Sequence, residues 1–237
     1  MELLSTGLVI IPAYNEEESI AGVLSQLAKA RPDLDVLVVD DGSSDLTADV
    51  VRQLGVPLLP LPFNLGVGGA MRAGFKYAHL HGYAYAIQLD ADGQHDPVQI
   101  HLLEAALSRA DVIVGSRFGS SATYVPRGPR RWAMKLLSLS ITALCGTEIT
   151  DTTSGFRAAS ASAIHIFSKH YPTEYLGDTV ESLVLAHRSH LTIAEVPTSM
   201  RERSAGRPSA SPLRSTIYLL RALLVLLVSI SRPTPIA

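Results

Sequence analysis

Three carboxylates, Asp90, Asp92 and Asp96, fall within seven residues in the run Gln88-Leu89-Asp90-Ala91-Asp92-Gly93-Gln94-His95-Asp96-Pro97. Two carboxylates at i and i+2, followed by an amide at Gln94, present hard oxygen ligands of the kind Mg²⁺ or Mn²⁺ takes, above all when diphosphate oxygens complete the shell. Any acidic turn can supply such a pair, so its meaning rests on what surrounds it. Tyr83 to Leu89 is uncharged and β-favouring, and reads as a buried strand. Its carboxyl end delivers Asp90 and Asp92 to the edge where open α/β sheets bind ligands. Asp96-Pro97 reads as a helix start, with Asp96 as N-cap, Pro97 at the first helical position, and Ile100, Leu102, Leu103 and Leu107 on the buried side.

The elements that must position this pair precede it. Leu8-Val9-Ile10-Ile11 is a short buried strand ending at Pro12, and Asn15 with Glu18 resembles a capping pair for the helix that follows. Ile20, Val23, Leu24, Leu27 and Ala28 give that helix one apolar face. A second βα unit runs from the strand Val36–Val39 through the turn Asp40-Asp41-Gly42-Ser43-Ser44 to a helix over 45–54 that Gly55 ends. Two such units predict a parallel sheet. Asn64-Leu65-Gly66-Val67-Gly68-Gly69-Ala70 places three glycines at the start of a further helix, where backbone could approach a ligand phosphate or ribose closely. It lacks the Gly-Lys-Ser/Thr ending of a phosphate loop that hydrolyses NTP.

Asp111 to Gly115 supplies another strand with Ser116-Arg117 at its end, and a helix pattern covers Pro129–Leu144 behind Arg127, Arg130 and Arg131. Asp151-Thr152-Thr153-Ser154-Gly155-Phe156-Arg157 is a polar loop, Asp178 to His190 a helix, and Thr192 to Val196 a strand. Residues 199–211, rich in Arg, Ser, Gly and Pro, read as a loop. The apolar run 217–230 has fourteen residues, against the ~20 that a bilayer span needs. It suits an interfacial helix or an oligomer contact.

At 237 residues and 47% hydrophobic the chain suits one domain with a tail. Net charge is −2, and residues 199–237 hold six Arg against one Glu, +5, so residues 1–198 sum to −7. An acidic body without aromatic-basic interleaving argues against nucleic acid as a partner. The lone Cys145 rules out an internal disulfide and suits packing, and residues 1–6 lack the basic and apolar regions of a secretory leader, so a cytoplasmic location is expected. His95 and the other seven histidines show no metal-ligand spacing and are assigned structural roles. A nucleotidyltransferase would want a Gly-rich basic loop where Pro12 to Glu18 is acidic, whereas a non-catalytic nucleotide-sugar-binding subunit would keep the same pocket.

Pro12-Ala13-Tyr14-Asn15-Glu16, Asp40-Asp41-Gly42-Ser43-Ser44-Asp45, Asp90-Ala91-Asp92-Gly93-Gln94-His95 and the 151–157 loop, in that order, resemble the inverting family 2 glycosyltransferases. Within that family the chain looks most like the dolichyl- and polyprenyl-phosphate mannosyl- or glucosyltransferases. The resemblance implies one α/β domain of the GT-A, Rossmann-like type over 1–211, with a mostly parallel central sheet flanked by helices, and a C-terminal apolar helix and tail over 212–237. It implies transfer of a hexose from a GDP- or UDP-sugar to a polyprenyl or dolichyl phosphate, with Mg²⁺ or Mn²⁺. Pro12, Ala13, Tyr14, Glu16, Asp41, Asn64, Gly68, Asp90 and Asp92 would bind the nucleotide-sugar, and Asp90, Asp92 and Gln94 the metal. Arg117, Arg131, Ser154, Arg201 and Arg203 would receive the acceptor phosphate. Asp92, Arg117 and Asp178 are the candidate catalytic residues, and for a hydroxyl acceptor Asp178 or Glu181 would be the base. The C-terminal helix would meet a membrane surface or a small membrane protein, leaving the enzyme peripheral at the inner face of the cell membrane.

Overall fold

The computed structural model describes residues 6–117, 129–173 and 178–201, with backbone alone at 129, 130, 131 and 133. The strands are β1 (Gly7–Ala13), β2 (Asp35–Asp40), β3 (Leu58–Pro60), β4 (Tyr85–Gln88), β5 (Val112–Ser116), β6 (Arg157–Ser160) and β7 (Ile193–Pro197). They form one sheet in the order β3-β2-β1-β4-β6-β5-β7. The helices are α1 (Ile20–Ala30), α2 (Thr47–Gln53), α3 (Gly66–Leu80), α4 (Ile100–Ala106), α5 (Pro129–Cys145), α6 (Ala161–His170) and α7 (Asp178–Arg188), with a 3-10 turn at Pro97–Gln99 leading into α4.

The sheet is apolar on both faces because both are covered, as expected of parallel strands. Side chains alternate along β1: Leu8 and Ile10 join a core with α3, α5, α6 and α7, while Val9 and Ile11 join one with α1, α2 and α4. Val38, Ile87, Ile113 and Ala158 extend the second core, and Leu37, Val39, Ala86, Val112, Val114 and Ala159 the first.

β6 and α6 have no counterpart in the sequence reading. The strand Arg157-Ala158-Ala159-Ser160 has no β-branched or aromatic residue, so it gives no propensity signal. It is held by pairing on both sides, antiparallel to β4 and to β5, with Arg157 opposite Gln88 and Val114. Because β6 alone runs backwards, the loop that enters it lies at the edge where β4 and β5 end. Ser160 then caps α6, its hydroxyl accepting from the Ala163 N–H at 3.3 Å.

Two smaller expectations are corrected. Asn15 and Glu18 do not cap α1, which starts at Ile20 after Ser19 with no side-chain cap. Leu102 is 36% exposed, while Ile100 and Leu103 are buried as expected. Among the described residues no helix is long and apolar enough to cross a membrane. The apolar run 217–230 lies outside them.

Candidate active site

Connections leave β1 toward β2 on one side, while β4 pairs with β1 on the other. This opens a crevice beyond the carboxyl ends of β1 and β4, the place where such sheets bind ligands. Past β1 the chain exposes Tyr14 at 48% and turns at Asn15, whose φ of 54° is left-handed. Asn15 spends its polar groups on the next loop: its N–H donates to Ser43 Oγ at 2.9 Å and its Oδ1 accepts from Ser44 N–H at 2.8 Å. Glu16 N–H donates to Thr47 Oγ1 at 2.8 Å. The Pro12–Glu16 and Asp40–Thr47 segments are therefore stitched into one wall.

Asp41 is buried at the end of β2, and its Oδ1 accepts from Leu65 N–H at 2.7 Å. Burial pushes its carboxyl up and the neighbouring charge of Asp40 adds to this, against the N–H groups of Leu65 and Gly66. Asn64 Oδ1 accepts from Gly66 N–H at 3.0 Å. A Cβ on Gly68 would collide with the Pro172 carbonyl and lie 3.1 Å from Asp178 Cβ, so the glycine lets α3 pack closely there.

Asp90 leaves β4 with its side chain 34% exposed, and His95 Nε2 lies 3.3 Å from its Oδ2. Gln88 Nε2 donates to the other oxygen at 3.4 Å. Burial raises the Asp90 carboxyl, but His95, Gln88 and the Arg117 charge outweigh it and hold the group below the usual carboxylate range. His95 is itself buried and stacked on Phe156, with ring centroids 5.0 Å apart and planes at 20°. Gly155 closes on Asp90 so tightly that a Cβ would sit 2.7 Å from Oδ2 and 2.8 Å from Oδ1. Asp92 Oδ1 accepts from Gln94 N–H at 3.0 Å. Asp96 is the N-cap foreseen for it, accepting from Val98 N–H at 3.1 Å.

The 151–157 loop comes to the same edge. Asp151, fully buried, accepts from Arg117 Nε at 2.6 Å and Nη2 at 2.8 Å, and Arg117 Nη2 also donates to Thr153 Oγ1 at 2.7 Å. This fork geometry is the strong form of the pair. Burial would raise the Asp151 carboxyl, but Arg117 reverses that and holds it low. From β7, Glu195 accepts from the N–H groups of Thr150 at 2.6 Å and Asp151 at 3.0 Å, fixing the loop's entry. Ser154 is buried, its hydroxyl accepting from Phe156 N–H at 3.2 Å.

Beneath the loop, Arg157 is 6% exposed and donates to the carbonyls of Ser154, Thr179 and Thr152 and to Ser182 Oγ, at 2.8 to 3.0 Å. Asp178, 2% exposed at the start of α7, has its Oδ2 buried without a hydrogen-bond partner among the described residues. Burial pushes its carboxyl up to about 6, aided by the Asp90 charge and opposed by Arg157 and the Thr179 N–H. Sequence reasoning singled out Asp178 but gave no role to Arg157 in the floor, nor to Glu195, a lone acid in a strand.

Arg201, expected at the acceptor phosphate, pairs with Asp96 Oδ2 at 2.6 Å and donates to Gln26 Oε1 at 2.7 Å. Its N–H donates to Gln94 O at 2.8 Å, and Met200 forms a β-bridge with His95. The segment leading to the Arg-rich loop is thus pinned to the loop carrying Asp92. The Arg131 side chain and Arg203 lie outside the described residues.

Residues 8–167 match the family model Glycosyl transferase family 2. The chain belongs to that family. It is 33% identical over 233 residues to the polyprenol monophosphomannose synthase of Mycolicibacterium smegmatis, covering 89% of this chain and 84% of that one. It is 36% identical over 222 residues to the undecaprenyl-phosphate mannosyltransferase of Micrococcus luteus, covering 86% and 87% respectively. Glucosyl-3-phosphoglycerate synthase from Mycobacterium tuberculosis, solved with Mn²⁺, UDP and phosphoglyceric acid, superposes with a TM-score of 0.73 at 18% identity, covering 98% of this chain and 80% of that one. That likeness is one of fold, and it is the GT-A fold.

In this glycosyltransferase the donor set fits a hard divalent cation: Asp90 is held ionised, stands partly open to the crevice, and has Asp92 two residues on. Among the described residues no cluster of three or more His, Cys, Asp or Glu is arranged to hold a metal by itself. Two carboxylates with a substrate's phosphates is the way Mg²⁺ is commonly held.

Proposed function

We propose that this glycosyltransferase moves a hexose from a GDP- or UDP-sugar to a polyprenyl phosphate, with inversion at the anomeric carbon and with Mg²⁺ or Mn²⁺ at Asp90 and Asp92. The observation that carries the reading is the meeting at one sheet edge of the ionised Asp90, leaving β4, and Arg117, leaving β5. The first suits the cation of a nucleoside diphosphate and the second an anionic acceptor. The names of the two bacterial relatives support the acceptor class. When bound, the cation would stabilise the charge that builds on the departing diphosphate.

This chain's own residues divide the rest. Tyr14, Glu16 and Asp41 wall the nucleotide side, Asp90 and Asp92 hold the cation with Gln94 beside them, and Arg117 faces the acceptor side, with Ser154 buried in the 151–157 loop. An acceptor phosphate oxygen forms the new bond to the anomeric carbon as the bond to the donor diphosphate breaks, and the nucleoside diphosphate departs. A phosphate monoester is already an anion, so no side chain needs to remove a proton from it. Asp178 then serves the floor of the site rather than the chemistry.

The test is a screen of GDP- and UDP-hexoses with Mn²⁺, with and without a polyprenyl phosphate. Sugar transfer to the lipid phosphate is expected. Transfer to a hydroxyl acceptor alone, abolished by Asp178→Asn, would replace this reading with general-base catalysis.

A further inference from the structure

His95 is a polar residue in an apolar slot. Its ring is 4% exposed and stacks on Phe156, a member of the core shared with α1, α2 and α4. One nitrogen turns to Asp90, with Nε2 3.3 Å from Oδ2. A carboxylate only accepts, so the hydrogen of this contact is on Nε2. The other nitrogen, Nδ1, is buried with no hydrogen-bond partner among the described residues. A buried polar atom left unsatisfied weakens a fold, and phenylalanine, close in shape, would avoid that loss. The imidazole is therefore explained by what Nε2 does rather than by packing.

What Nε2 does is hold one side of Asp90. That carboxylate is enclosed by three groups: His95 at Oδ2, Gln88 Nε2 at 3.4 Å from Oδ1, and Gly155, where a Cβ would sit 2.7 Å from Oδ2. His95 is itself held twice, its ring by Phe156 and its backbone by the bridge to Met200. The imidazole thus gives Asp90 a fixed reference where the cation loop, the 151–157 loop and the segment at Met200 meet. A group that orients a metal ligand in this way raises the affinity of the site for its cation.

We infer that His95 is a positioning residue, which fixes the Asp90 carboxylate in the orientation it presents to the crevice and so sets the affinity for a divalent cation bound with a nucleoside diphosphate. It acts through Asp90 and not on the cation. The inference rests on the reading of Asp90 and Asp92 as the cation's ligands.

Mn²⁺ binding to the full-length protein is followed by loss of the free-ion electron paramagnetic resonance signal, with GDP and separately with UDP, against the nucleotide alone. His95→Phe keeps a ring for the stack but has no Nε2–H. Its Kd for Mn²⁺ should rise about tenfold or more, while its melting temperature holds or rises because the buried Nδ1 is gone. His95→Gln and His95→Met are a second pair, equal in length and both without the ring, of which only the first can donate to Asp90. Gln should bind Mn²⁺ more tightly than Met. Wild-type affinity in His95→Phe would overturn the inference, and if that variant does not fold, equal affinities in the Gln and Met variants would do so. No Mn²⁺ binding by the wild type with either nucleotide would remove the cation reading and this inference with it, a result distinct from wild-type binding that His95→Phe matches. None of these measurements needs sugar transfer.

Discussion

Arg157 and Asp178 share the floor of the site without a salt bridge between them among the described residues. The guanidinium spends its donors on neutral oxygens of Ser154, Thr179, Thr152 and Ser182, and Asp178 keeps a buried oxygen unpartnered. Burial pulls both groups toward neutrality, lowering Arg157 and raising Asp178 to about 6. Asp90, above them, is ionised and adds to the pressure on Asp178. One carboxylate is thus kept for a cation while another, close by, is made reluctant to ionise.

Asp178 should therefore make the fold more stable in acid. Its folded value of about 6 lies above the ordinary 3.8 of the unfolded chain. The stabilising contribution of this group is full below the unfolded value and is lost as pH rises through the folded one. Asp178→Asn should flatten this part of the pH dependence of urea unfolding between about pH 4 and 6, and should leave most of the turnover. A loss of ~10² in turnover with donor binding unchanged would instead mark a general base.

The Arg117–Asp151 fork predicts a different outcome. Asp151→Asn leaves the guanidinium without its buried counter-charge, and breaking one partner of such a pair costs about 3 kcal/mol or more. Urea denaturation measures this directly. Arg117→Lys keeps the charge but loses the fork, so the KM for polyprenyl phosphate should rise while that for the nucleotide-sugar holds.

Much of this was legible in the residues. The first two βα units announce themselves through apolar runs and an i, i+3, i+4 pattern, and Asp90, Asp92 and Asp96 stand where their strand and cap signals put them. β6 was illegible because Arg157-Ala158-Ala159-Ser160 pairs by position in the sheet rather than by propensity. At Gly68 the close approach expected of a glycine at the helix start is made to the Pro172 carbonyl, a partner distant in sequence that the letter alone does not name. The contact of His95 with Asp90 is made through a turn within the same loop, and spacing does not encode it.

Gly68 and Gly155 should separate cleanly on mutation to alanine. At Gly68 the new methyl meets a backbone carbonyl that cannot swing aside. A loss of about 1–3 kcal/mol in stability is expected there. At Gly155 the nearest atoms it meets are those of the Asp90 carboxylate, which can move, and the residue has no positive φ to strain. The melting temperature should change little, while the Kd for Mn²⁺, read by titration in the presence of UDP or GDP, should rise about tenfold or more because the ligand has been turned.

Asp92→Ala tests the cation itself. The Asp92 carboxylate accepts a hydrogen bond from Gln94 N–H, which water can replace at this partly open position, so the fold should survive. Transfer should not. Without a cation, diphosphate would face Asp90 and Asp92 as bare like charges, and removing one carboxylate eases that repulsion while taking away a ligand. The wild type should lose turnover in EDTA and regain it with excess Mn²⁺, whereas Asp92→Ala should stay inactive at any Mn²⁺ concentration that saturates the wild type. Equal activity of the variant with and without EDTA, at the wild-type level, would remove the metal from these two residues.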